Sequence, residues 1–133
     1  MVEPTIRDSA SDSIQAHNNK GARTVILSAA TRFICEPVQQ KLNMDETICT
    51  ELDIRDGIFT GHIIGDYNHG DEKLRRALDY CSSNGFDLDT AWYYADSISD
   101  LPVLEKVQHP MCVTPDRLLR KVAKKRGWQI LDW

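Results

Sequence analysis

Three short apolar runs limit what this chain can fold into. RTVILS (Arg23–Ser28), AWYYA (Ala91–Ala95) and PMCV (Pro110–Val113) are a few residues long and rich in β-branched or aromatic side chains. Each precedes a segment that reads as a helix. Phe33, Ile34, Val38 and Leu42 recur at helical spacing after the first, Ser99–Val107 predicts a short helix after the second, and Pro115–Arg126 a helix after the third. Such a run, bounded by turn residues, is the pattern of a strand buried on both faces of a parallel sheet. Strands alternating with helices therefore predict an α/β layer fold, its sheet mostly parallel and its helices flanking. WQIL (Trp128–Leu131) predicts a closing edge strand.

The other segments fit around this rhythm. Ile6, Ala10, Ile14 and His17 predict a first helix that stops at Gly21. Pro37 is expected to kink the second helix or mark its first turns. Thr47–Ile63 alternates polar and apolar residues around Asp56-Gly57, the strongest hairpin signal in the chain. Leu74, Ala77, Leu78 and Cys81 form an amphipathic stripe ending near Gly85. At 133 residues a single domain, residues 1–133, is expected. Net charge is −4 and no apolar run approaches a membrane span, so neither a nucleic-acid partner nor a membrane is expected. The polar start MVEPTIRDSASDS does not read as a signal peptide. Cys35, Cys49, Cys81 and Cys112 lie far apart without a CxxC, which reads as free buried thiols in a reducing cytoplasm.

In parallel sheets ligands bind beyond the carboxyl ends of the strands, and Ser28 and Asp96 both stand at such ends. Ser28 is followed by Ala29 and Ala30, whose small side chains let backbone N–H groups approach an anion near a helix start. The bland alternative is that Ser28 or Thr31 merely caps the helix. Lys73, in HGDEKLRRAL, sits in a first helical turn where the dipole disfavours a cation, so an anionic ligand would account for it. Solvation on an amphipathic face is the alternative. Asp96 and Asp100 are four apart, and paired hard oxygens suit Mg²⁺, which takes one or two carboxylates with waters and phosphate. Against this, Asp96 could cap the next helix and leave Asp100 on its surface.

Taken in order, these segments resemble the haloacid dehalogenase (HAD) superfamily, and most closely its phosphoserine-phosphatase-like branch. VILSAAT (Val25–Thr31) resembles motif II, GDEK (Gly70–Lys73) motif III, and YYADSISDLPVLEKV (Tyr93–Val107) motif IV. The tail HPMCVTPDRLLRKVAKKRGWQILDW also follows the family's closing pattern. The resemblance runs from about Ile6 onward and implies a Rossmann-like core with a β-hairpin. It implies Ser28 and Ala29 as phosphate-binding groups and Lys73 as the phosphate-binding, catalytic cation. It makes Asp96 a Mg²⁺ ligand and Asp100 a support of the metal shell. Ala95 departs from the family's usual Gly.

One piece of the family pattern is missing. Members carry an aspartate nucleophile in a DxDxT segment at the end of a strand, followed by an inserted cap. GFDLDTA (Gly85–Ala91) fits only the DxD part, at Asp87 and Asp89, yet it follows an Asn84-Gly85 turn and precedes the motif IV strand. The start MVEPTIRDS resembles instead the stretch after the cap. In the family the motif I strand lies between the motif II and motif IV strands, so without it two strands face an empty place. They could close up, a partner strand or second copy could fill the gap, or the chain could be only marginally folded. Two functions follow. One is a Mg²⁺-dependent phosphomonoesterase portion acting on a small phosphorylated substrate, inactive without motif I. The other is a non-catalytic module that recruits a strand through its sheet. Arg117, Arg120, Lys121, Lys124, Lys125 and Arg126 form a basic helix with Leu118, Leu119 and Val122 as its apolar side, expected as an outer helix of the layer rather than a lipid-binding one.

Overall fold

The computed structural model describes residues 7–65 and 68–133, and the chain divides into two compact units, 1–68 and 69–133. Ile6, the first residue of the predicted N-terminal stripe, lies outside the described residues.

The first unit holds α1 (Asp8–Asn19), β1 (Val25–Thr31), α2 (Arg32–Leu42), β2 (Glu46–Arg55) and β3 (Ile58–Ile64). Its sheet has the order β1-β2-β3, with β1 parallel and β3 antiparallel to β2. The hairpin forms where Asp56-Gly57 predicted it. Both turn residues have positive φ, 52° and 77°, the type I′ geometry whose twist matches that of the flanking strands. Pro37 is the sixth residue of α2 and lies inside it. The helix ends on Asn43 in the left-handed conformation. β1 corrects the expectation of a doubly buried strand, because every residue from Val25 to Thr31 is only half-buried. The reason is topological, since β1 is an edge with one hydrogen-bonded neighbour. Phe33 and Ile34, expected on an apolar helical face, are 68% and 58% exposed, and Cys35 is the residue α2 buries.

The second unit holds α3 (Asp71–Asn84), β4 (Trp92–Ala95), α4 (Leu101–Leu104), β5 (His109–Val113), α5 (Arg117–Arg126) and β6 (Gln129–Leu131). Its sheet is all parallel in the order β4-β5-β6, so the closing strand is an edge as expected. Leu88–Thr90 and Ile98–Asp100 are single 3₁₀ turns, the second leading into α4. GFDLDTA thus does not end a strand. Asp87 accepts the N–H of Asp89 in a local turn, which agrees with setting that segment aside as a nucleophile site.

The core of this unit joins Ala95, Leu104, Cys112, Leu119 and Ala123, with Tyr93, Ile98, Trp128 and Ile130 packed against it. Leu104 and Leu119 are fully buried, each stabilising the fold by about 1.5–3 kcal/mol. α5 turns Leu119 and Ala123 inward and leaves Leu118, assigned to the apolar side, exposed. Trp128 packs as expected, under the Arg126 guanidinium. Trp92 is half exposed and stacks on His109 at 4.2 Å. Three cysteines are buried, and Cys81 is partly exposed.

Candidate functional site

In the first unit, β1 and β2 run in register through Leu27↔Ile48 and resume at Thr31↔Thr50. Ser28, Ala29 and Ala30 therefore stand opposite the single residue Cys49. This widened bulge lies in the last half of β1, just before α2, and such irregularities often re-aim side chains beside active sites. Ser28 Oγ accepts the Ala30 N–H at 3.0 Å, so the hydroxyl closes its own turn rather than the helix. Thr31 occupies the capping position of α2 and makes no side-chain cap bond. The helix-capping alternative for SAAT thus finds no support at either residue. A shallow groove lined by Arg32, Phe33, Glu36, Glu51, Leu52 and Ile54 contains none of the residues assigned from sequence.

Cys35, from the second turn of α2, lies against the Ser28 hydroxyl and the Cys49 thiol, and burial pushes its pKa up. Burial and the Glu51 charge raise Cys49 to about 11. These are neutral thiols and poor nucleophiles. Arg32 begins α2 and is held by Glu51 and by Thr47 Oγ1 at 3.0 Å, so its charge is already matched.

In the second unit, Lys73 and Asp100 meet. Lys73 Nζ donates to Asp100 Oδ1 at 2.6 Å, with both side chains at most 10% exposed. α3 delivers the lysine from its first turn, after Gly70 at φ 56°, ψ −123°, a conformation that favours glycine. The 3₁₀ turn after β4 delivers the aspartate. Tyr93 OH adds a second hydrogen bond to the same oxygen at 2.9 Å. Burial first, then the negative charges of Asp100 and Asp96, drive the tyrosine pKa upward, so the phenol stays protonated and donates. Solvation does not describe this lysine. Nor does capping describe the two acids. Ser97 closes the turn by accepting the Ser99 N–H at 3.2 Å, and Asp100 is buried instead of on a surface.

Asp96 directly follows β4 and is exposed, and its carbonyl accepts the Asp116 N–H at 2.8 Å. Asp116 in turn caps α5 through Leu119 N–H and ties Ile98 N–H with its other oxygen. The loop after β4 is thus pinned while the Asp96 side chain stays open. A hard divalent ion with several waters suits one such carboxylate. Asp100 Oδ1 already serves two donors, which fits an anchoring role rather than direct ligation. Among the described residues, no cluster of three or more His, Cys, Asp or Glu could by itself hold a metal.

Sequence reasoning singled out Ser28, Ala29, Lys73, Asp96 and Asp100. Ser28 and Ala29 fall in the first unit, and the other three in the second, where Lys73 and Asp100 are joined directly. It missed Tyr93, whose place three residues before Asp96 on a strand was the available signal. It also missed Asn68, which no local pattern marks.

The haloacid dehalogenase-like hydrolase family model matches residues 1–105. The chain is 37% identical over its whole length to the "Inhibition of morphological differentiation protein" of Streptomyces azureus, covering 48% of that protein. It is 36% identical to a probable phosphatase of Mycobacterium tuberculosis, again over all of this chain and 46% of the relative. Among solved structures, a protein of unknown function from Bordetella pertussis Tohama I superposes with a TM-score of 0.90 at 30% identity, over 97% of this chain and 59% of that one. A substrate-bound phosphoserine phosphatase superposes with a TM-score of 0.75 at 18% identity, over 93% and 57%, which shows the fold alone. The chain spans about half the length of the relatives it matches. With its α/β Rossmann-like fold and the family model covering most of its length, the chain belongs to the haloacid dehalogenase-like hydrolases.

Proposed function

We propose that this chain carries phosphate-binding and metal-binding parts of a Mg²⁺-dependent phosphomonoesterase of the phosphoserine-phosphatase type. The observation that carries this reading is the buried Lys73–Asp100 pair at the end of β4. A buried ion pair adds little stability over apolar packing, so its presence between the first turn of α3 and the 3₁₀ turn after β4 points to use. The relative named a probable phosphatase supports the reaction class. In the first unit the Ser28 hydroxyl donates to a phosphoryl oxygen, and the backbone at Ala29 approaches closely because its side chain is a methyl. In the second unit the Lys73 ammonium offsets charge that builds on the transferring group. Asp100 and Tyr93 keep that ammonium in one place. Asp96 would hold the Mg²⁺, which when bound supplies Lewis-acid polarisation and in-line orientation. The substrate class is a small phosphomonoester.

No DxDxT segment occurs in the 133 residues, so this polypeptide alone has negligible turnover. Calorimetric titration with orthophosphate in Mg²⁺ tests the reading. Saturable binding is expected, weakened at least tenfold by Ser28→Ala and by Lys73→Met. The absence of binding by the unaltered chain overturns it, as does robust hydrolysis of an aryl phosphate that Asp96→Asn abolishes.

A second reading rests on a different observation. Among the described residues, β1 and β4 are each edges with one hydrogen-bonded neighbour, a form that accepts an added strand. In that reading the chain is an interaction module that takes a strand from a second copy or another chain. A monomer at all concentrations in sedimentation, with slow amide exchange along both strands, counts against it.

A further inference from the structure

We infer that Asn68 is a positioning residue that holds the Ser28 turn in its anion-binding shape. This rests on the assignment of Ser28 to phosphate made above. Between Leu27↔Ile48 and Thr31↔Thr50 the β1–β2 ladder is interrupted, and backbone groups on both strands must find other partners. Asn68 supplies them from a distant point in the chain. Its side-chain Nδ2 donates to Ser28 O at 2.9 Å and to Ile48 O at 2.8 Å, bridging the two strands at the last regular pair. Its own N–H donates to Thr50 Oγ1 at 3.0 Å, which ties it to the point where the ladder resumes. Two carbonyl acceptors settle which end of the amide is nitrogen.

Both Asn68 and Thr50 are completely buried, so this is a polar plug and not a surface contact. Asn68 Oδ1 has no partner among the described residues. The side chain is therefore fixed by what its nitrogen does, at the cost of an unmatched acceptor, and packing convenience does not explain it. The geometric consequence lands on Ser28. Its carbonyl is clamped by Asn68 while its hydroxyl accepts the Ala30 N–H, so the turn is held from both ends. No other neutral side chain carries two donors on one nitrogen at so short a stem. Leu would leave both carbonyls unmatched, and Asp would set a carboxylate against them.

The test compares Asn68→Leu and Asn68→Asp with Thr24→Val in the whole chain. Thr24 is also buried and lies at the other end of the β1–β2 pair, bonded to Asn18 and Asp45. Orthophosphate affinity and hydrogen exchange of the Ala30 amide are measured for each, beside thermal stability. The Asn68 variants are expected to bind at least tenfold more weakly and to exchange Ala30 at least tenfold faster. Thr24→Val is expected to lose comparable stability with neither change. Thr50→Val, a milder loosening of the same plug, replaces any Asn68 variant that does not fold. Unchanged Ala30 exchange in the Asn68 variants overturns the inference, as does equal weakening by Thr24→Val. Failure of the unaltered chain to bind orthophosphate instead sinks the assignment of Ser28, while the exchange comparison still decides whether Asn68 holds the turn.

Discussion

Replacing Lys73 by methionine should cost this chain a large part of its stability. The substitution keeps the length and most of the volume of the side chain and removes only the ammonium. Asp100, 7% exposed at its side chain, is then left as a buried carboxylate with Tyr93 OH as its remaining hydrogen bond at 2.9 Å. Removing one partner of a buried pair costs about 3–5 kcal/mol, because the other charge stays desolvated. The surviving Tyr93 hydrogen bond, worth about 1.5–3 kcal/mol to a charged group, should hold the loss near the lower end. Urea unfolding followed by tryptophan fluorescence measures it, since Trp92 and Trp128 lie in the same unit as the pair. The double variant Lys73→Met/Asp100→Leu removes both charges and should recover most of the loss. A single-variant loss below about 1 kcal/mol, the range of solvent-screened surface pairs, would refute the reasoning. So would a double variant no more stable than the single one.

Further outcomes follow from other contacts. Burial and Glu51 hold the Cys49 thiol up to about 11, and burial raises Cys35. In the native chain Cys35 and Cys49 should therefore label slowly with a disulfide reagent at pH 8, more slowly than the partly exposed Cys81, and rapidly once unfolded. Because the folded pKa of Cys49 lies above its ordinary value of 9.0, its contribution is complete below about pH 9 and fades as pH rises toward 11. Urea midpoints taken across that range should fall. Asp116→Ala removes the α5 cap and the tie to Ile98 together, and should cost about 1–2 kcal/mol or slightly more by the same unfolding assay. Gly57→Ala places a Cβ in open space at φ +77°, so its loss of about 1 kcal/mol should be purely conformational.

Much of this fold could be read locally. Asp56-Gly57 forces a two-residue turn wherever it sits between alternating strands, and the folded chain has that turn. The strand-helix rhythm after Ala91 holds because each short apolar run has one way to bury itself, against helices packed on a parallel sheet. What could not be read was depth. RTVILS looked doubly buried because its composition suits that place, whereas the number of its neighbours is set by the rest of the sheet. Phe33 and Ile34 show the same limit, with helical spacing that says nothing of which side will be covered.

The candidate site divides along the same line. Residue types and their order along the chain were enough to place a hydroxyl after one strand, a lysine in a first helical turn and two acids after another strand. Only tertiary structure decided how the acids differ, leaving Asp96 open while Asp100 is sunk against Lys73 and Tyr93. It alone brought Asn68 forty residues back to Ser28. The physical reason is that hydrogen-bond demand arises from burial, and burial belongs to the folded whole rather than to any stretch of sequence.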